Sequence, residues 1–127
     1  MCMPVVGIGT DIIEISRIAE MTESTRERLA KRVLTPSEYS RYSEIKQPER
    51  YLAKRWAGKE ALAKALGTGI ADGVSFQHIT IHSLESGQPT LILTERALEI
   101  AKSLNANHWH ISLADEKLYA TAFVTLS

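Results

Sequence analysis

The stretch Tyr51-Leu-Ala-Lys-Arg-Trp-Ala-Gly-Lys-Glu-Ala-Leu-Ala-Lys-Ala-Leu-Gly-Thr-Gly69 limits the possible folds more than any other part of this chain. It has no proline and is rich in Ala, Leu and Lys, which lose little freedom in a helix. On a helical wheel Leu52, Trp56, Ala63 and Leu66 form one apolar stripe. Ala53, Ala57, Ala61 and Ala65 form a second stripe on the opposite side. A surface helix has one apolar and one charged face, so two non-polar sides predict a largely buried helix. The Ala stripe would let another backbone approach closely. The charges then fall in the seams, with Glu60 and Lys64 on one and Arg55 and Lys59 on the other. Charges on a buried helix need partners or a ligand. Gly67-Thr68-Gly69 follows, with Gly67 suited to a left-handed cap and the loop amides suited to phosphate. The plainer alternative is a surface Glu-to-Lys pair ending in a glycine cap.

Such a helix needs cover, and 127 residues can supply a real core within one domain, residues 1–127. Fifteen basic residues balance fifteen acidic ones, so no global field favours nucleic acid or membrane. No apolar run approaches the roughly 20 residues needed to span a bilayer. The only cysteine, Cys2, rules out an intrachain disulfide and fits a reducing cytoplasm.

Ahead of the helix, Val5–Asp11 reads as a short strand on which Gly7, Gly9 and Asp11 share a face. Two glycines there leave room for something close to the backbone, with Asp11 beside it. A helical turn around Ile15–Ala19 carries Arg17, and a helix is expected over Ser24–Val33. Arg28, Lys31 and Arg32 share one face of it, either as a solvated basic surface or as a dock for an acidic partner. Thr35, Pro36 and Glu38 form a helix start, and Pro48 opens the central helix. Phe76–Ser83 and Thr90–Leu93 read as strands around a turn at Ser86–Pro89. Glu95–Leu104 reads as an amphipathic helix. Trp109–Leu113 and Tyr119–Leu126 read as an antiparallel hairpin joined by Asp115-Glu116-Lys117. Helices cluster early and strands late, which argues α+β.

Among possible chemistries, zinc lacks a third ligand at recognisable spacing from His78, His82, His108 and His110. No nucleophile elbow or phosphate-loop lysine motif occurs. Asp11 and Glu60, with Lys64 one turn beyond and a glycine loop next to it, are residue types that suit a magnesium–phosphate site.

The motifs Gly7-Ile-Gly-Thr-Asp-Ile-Ile-Glu-Ile-Ser-Arg17, Arg32-Val-Leu-Thr35, Leu52–Gly69, Gly87-Gln-Pro89 and His110-Ile-Ser-Leu-Ala-Asp-Glu116 together resemble one family. It is the holo-[acyl-carrier-protein] synthases, the small type of 4'-phosphopantetheinyl transferase. The resemblance implies that family's fold, a long central helix packed on an antiparallel sheet. It also implies transfer of 4'-phosphopantetheine from coenzyme A to a serine of apo acyl carrier protein, releasing 3',5'-ADP. Asp11 and Glu60 match Mg2+ ligands and Lys64 a lysine near the pyrophosphate. Arg55, Gly67, Thr68, Gly69, Ile70, Gly87, Gln88 and Pro89 match regions that hold coenzyme A. Arg17, Arg28 and Arg32 match positions that meet the carrier protein. The family implies a homotrimer, a role in fatty acid biosynthesis, and neither nucleic acid nor membrane as partner. Many relatives carry Ser-His-(Asp or Glu) where this chain has Ala114-Asp115-Glu116, so a role for that histidine does not transfer. A water on magnesium, or Glu60 itself, is the better candidate for taking the serine proton. Two rivals remain: a non-catalytic module binding coenzyme A or an acidic protein, and a transferase serving a specialised carrier.

Overall fold

The computed structural model describes residues 4–127, so Cys2 lies outside the described residues. The elements run β1 (Gly7–Glu14), α1 (Ser16–Ala19), α2 (Glu23–Val33), α3 (Pro36–Tyr42), α4 (Pro48–Leu66), a 3-10 turn (Phe76–His78), β2 (Ile79–Ser83), β3 (Pro89–Leu93), α5 (Glu95–Ser103), β4 (Trp109–Asp115) and β5 (Tyr119–Leu126). The architecture is α+β, as the segregation of helical and strand patterns predicts. β1, β5 and β4 form an antiparallel sheet in that order, and β2 and β3 pair as a separate hairpin.

α4 is the hub. Proline stands in its first turn, and Gly67 ends it at φ 83°, a left-handed conformation that costs glycine least. It packs along the inner face of the three-stranded sheet. Gly7 and Gly9 meet the Ala stripe directly: a Cβ on Gly7 would overlap the Ala65 carbonyl oxygen, and one on Gly9 the Ala61 carbonyl oxygen. The room left by the glycines and the room left by the alanines are therefore the same space. Leu52, Leu62, Ile79, Ile81, Val124 and Leu126 complete the core. Both sides of α4 are covered within one chain, so its burial does not require a second copy.

Several boundaries differ from the sequence reading. β1 runs on through Ile12, Ile13 and Glu14, because its pairing with β5 continues to Glu14 opposite Tyr119. The segment Phe76–His78 is a 3-10 turn rather than strand, capped by Ser75 Oγ accepting from the Gln77 amide. β4 extends to Asp115, and α5 stops at Ser103 with Leu104 as its cap. The Thr35–Glu38 capping box forms as expected, with the Thr35 amide donating to Glu38 Oε1 at 2.8 Å.

Glu38 does more than cap. Lys59, fully buried, donates to Glu38 Oε1 at 2.6 Å, to the Val33 carbonyl at 2.6 Å and to the Phe76 carbonyl at 3.2 Å. Glu38 Oε2 accepts from the Ile81 amide at 2.7 Å. Every ammonium donor has an acceptor, which is the condition under which a charge is tolerated in a core. Burial pushes Lys59 below its ordinary pKa, and the Glu38 carboxylate opposes that shift. The pair ties the end of α2, the start of α3, α4 and β2 into one unit.

Candidate active site

Asp11 reaches the site because β1 places it on the same face as Gly7 and Gly9, against α4. Lys64 Nζ lies 3.0 Å from Asp11 Oδ1 and donates to the Thr10 carbonyl at 3.0 Å. Its side chain is 54% exposed, whereas that of Asp11 is 18% exposed. Glu60 stands one turn before Lys64. Burial raises its pKa above the ordinary carboxylate value, and the Asp11 charge raises it further; a hydrogen bond from Trp56 and the charges of Lys64 and Arg32 act in the opposite direction. Three of the residues expected to act together, Asp11, Glu60 and Lys64, thus meet across the β1–α4 contact.

This corner holds two carboxylates against one ammonium. The Asp11 charge acts on Glu60, and the charges of Lys64 and Arg32 act against it. Two carboxylates side by side, open on one side, fit a small hard divalent cation that takes few protein ligands. No group of three or more His, Cys, Asp and Glu side chains comes together among the described residues, so any metal here would rely on two protein carboxylates.

Arg17 stacks over Trp56 with its guanidinium 5.3 Å from the ring centroid, at the edge of this corner. Arg28 and Arg32 are exposed on α2, and Arg32 lies 5.5 Å over the Phe76 ring. The Gln77 side-chain amide caps the end of that helix, donating to the carbonyls of Lys31, Arg32 and Leu34. Nothing in the local sequence marks Gln77 for that role, since its partners lie more than 40 residues away.

The expected coenzyme A residues are not gathered into one cavity. Arg55 lines a groove of about 880 Å³ beside α4, together with Arg41, Lys46, Arg50, Lys54 and His82. It donates to Ser83 Oγ at 3.1 Å and stacks 4.4 Å over the Tyr51 ring, while its Nε is buried with no partner among the described residues. Gly67–Ile70 lie at the far end of α4. Here the sequence reading needs correction: the Gly67 amide donates to the Lys64 carbonyl and the Gly69 amide to the Ala63 carbonyl, both at 3.0 Å. Those two amides close the helix and are not open to phosphate. Gln88 and Pro89 line a second groove of about 320 Å³, with Asn107, His108, Trp109 and His110.

Asp115 sits on the large groove. Its Oδ2 accepts from Arg50 at 2.9 Å and its Oδ1 lies 3.3 Å from Lys54.

Comparison with known proteins fits this geometry. The family model for the 4'-phosphopantetheinyl transferase superfamily matches residues 7–124. A holo-[acyl-carrier-protein] synthase of Shewanella frigidimarina is 56% identical over 124 residues, covering 98% of both chains. The crystal structure of holo-[acyl-carrier-protein] synthase from Neisseria meningitidis superposes with a TM-score of 0.88 at 37% identity, covering 98% of this chain and 99% of that one. A Bacillus anthracis holo-(acyl-carrier-protein) synthase in complex with CoA (3',5'-ADP) superposes with a TM-score of 0.80 at 35% identity, covering 96% of each chain. The chain belongs to the 4'-phosphopantetheinyl transferase superfamily, among its holo-[acyl-carrier-protein] synthases.

Proposed function

We propose that this chain, as one domain over residues 1–127, transfers 4'-phosphopantetheine from coenzyme A to a serine of apo acyl carrier protein through the Asp11–Glu60–Lys64 corner. The convergence of those three side chains across β1 and α4 carries the reading. In the transfer the serine Oγ forms a bond to the pantetheine-bearing phosphorus. The bridging P–O bond breaks, and that oxygen leaves on 3',5'-ADP. Such a step depends on positioning and on stabilising charge on the phosphoryl oxygens. Asp11 and Glu60 would hold Mg2+, which supplies charge neutralisation to the diphosphate when bound. Lys64 is exposed enough to swing from Asp11 to the leaving phosphate, where an ammonium stabilises charge as it develops. Glu60 is the protein group that we infer accepts the serine proton.

The cations of the large groove, Arg55 above all, suit the phosphates at the nucleotide end of coenzyme A. Gly67–Ile70 and Gly87–Pro89 lie apart from that groove within one chain, which favours a site completed by a second copy. The outer face of the three-stranded sheet favours the same. By strand register its β1 and β5 strands present Ile8, Thr10, Ile12, Thr121, Phe123 and Thr125, with the one carboxylate these strands bring to it, Glu14, at the end of the face opposite Tyr119. Ile8 is 62% exposed, Ile12 60% and Phe123 45%. A homotrimer closed on that face is the arrangement we infer; light scattering reading a monomer at tens of micromolar would exclude it. Arg17, Arg28 and Arg32 form an exposed cationic flank beside the corner for an acidic carrier protein. Among the described residues no helix is long and apolar enough to cross a membrane. A role in cytoplasmic fatty acid biosynthesis follows from this reading.

The decisive experiment incubates the protein with coenzyme A, magnesium and apo acyl carrier protein and weighs the carrier. Addition of the phosphopantetheine mass to the serine supports the reading, and an unmodified carrier in the presence of tight coenzyme A binding leaves only a binding module.

A further inference from the structure

The large groove beside α4 carries five cations, Arg41, Lys46, Arg50, Lys54 and Arg55, and two carboxylates, Glu38 and Asp115. Glu38 is committed to Lys59, Thr35 and Ile81 inside the core. Asp115 is therefore the groove's one carboxylate that a ligand can displace. Its two neighbours are held differently. Arg50 donates to Asp115 and also to the carbonyls of Glu116 and Lys117, at 2.8 and 3.0 Å, so the hairpin turn holds its guanidinium whatever Asp115 does. Lys54 has Asp115 as its only ion-pair partner among the described residues. Arg41 and Lys46 have no ion-pair partner there at all.

We propose that Asp115 is an internal counter-anion that competes with the ligand's phosphate for Lys54, and thereby sets how tightly the groove holds the phosphorylated nucleoside end of coenzyme A. The inference rests on the reading that this groove receives that end. The Lys54–Asp115 pair is suited to exchange. Both side chains are about one-third exposed, at 31% and 29%, and a pair so placed is weak enough to be broken by a phosphate of higher charge. Lys54 then changes partner from carboxylate to phosphate without the ammonium ever being left uncompensated. Arg50 stays on the turn and keeps the groove wall in place. The net effect is a smaller gain on binding than an unpaired lysine would give, and easier release of the nucleotide product.

The test is titration calorimetry of the full chain with 3',5'-ADP at low salt. Asp115→Asn keeps an oxygen acceptor for Arg50 and removes the competing charge. It should bind 3',5'-ADP about threefold to fivefold more tightly, the range an ion pair of this kind supports. Adenosine, which has no phosphate, should bind the two proteins alike. In a Lys54→Met background the gain from Asp115→Asn should vanish. The proposal is overturned if Asp115→Asn binds no more tightly than the wild type, or tightens equally without Lys54. Arg41→Glu separates this from the reading beneath it. If Arg41→Glu leaves 3',5'-ADP affinity unchanged, the nucleotide lies elsewhere and both ideas fall. If Arg41→Glu weakens binding while Asp115→Asn does not strengthen it, only the Asp115 proposal falls.

Discussion

Lys59 and Lys64 stand little more than one turn apart on α4, each beside a carboxylate, yet their surroundings are opposite. Lys59 has no exposed surface, three acceptors and a carboxylate that is itself bonded from four groups. Lys64 is half exposed and faces a corner with two carboxylates. In the first region every polar atom is satisfied by the protein, so nothing further can bind. In the second the side chains are partly exposed and not locked by the protein, which leaves room for a cation and a phosphate. A fold can thus use one helix both as a closed structural joint and as an open reactive edge, with the number of available partners deciding which.

The comparison breaks most sharply on activity. Asp11→Asn and Glu60→Gln keep shape and remove charge, so each should abolish transfer while the protein stays folded. Millimolar magnesium should raise the wild-type melting midpoint and leave that of Asp11→Asn unmoved. A variant that retains near wild-type turnover at saturating magnesium would show that its carboxylate holds no metal.

The joint should fail in the other currency, stability. Lys59→Met strands Glu38 in the core and should cost about 3–5 kcal/mol by urea denaturation. Lys64→Met, at the half-exposed pair, should cost less than about 1 kcal/mol but slow the transfer strongly. Equal losses of stability in the two variants would erase the distinction between joint and edge.

A substitution in the contact between the two regions should affect both. Gly9→Ala forces β1 and α4 apart, which should cost about 1–3 kcal/mol of overpacking strain and displace Asp11 from Glu60. Full activity in a folded Gly9→Ala protein would mean that the corner tolerates a wider gap than the close packing implies.

The smallest effect is in pH dependence. The folded protein holds the Glu60 pKa above the unfolded value, so ionised Glu60 disfavours folding. Glu60→Gln should therefore be slightly more stable than wild type at neutral pH. That gain should shrink as pH falls through the raised pKa and disappear below the ordinary carboxylate range, where Glu60 is protonated in both states. A gain that is constant with pH would point to packing rather than charge.

Much of this was legible in the sequence because it depends on local spacing. Gly7, Gly9 and Asp11 on one strand face, the Ala stripe, the Thr35–Glu38 box and the Gly67 cap can each be read within one short segment. What could not be read was which distant surface each would meet. The glycine gap and the alanine stripe were both visible, but not that they fill one another. Lys59 looked like a seam charge beside Arg55, because its partner Glu38 lies 21 residues away and already had a role as a cap. The amides of Gly67 and Gly69 looked free for phosphate, because the return bonds to Lys64 and Ala63 depend on how the last helical turn closes. Asp115 looked like a turn residue, since only the packing of the β4–β5 hairpin on α4 brings Arg50 and Lys54 to it.

The direct seating of β1 on α4 has one more consequence. Between Gly9 and Ala61 no side chain longer than a methyl intervenes, so no rotamer can change the spacing. The separation of strand and helix acts as a rigid gauge block, machined in backbone rather than shimmed with flexible side chains. Heating loosens side chains well before it melts backbone pairing, but here there is little to loosen. Activity measured against temperature should therefore follow the unfolding curve itself, with no earlier decline.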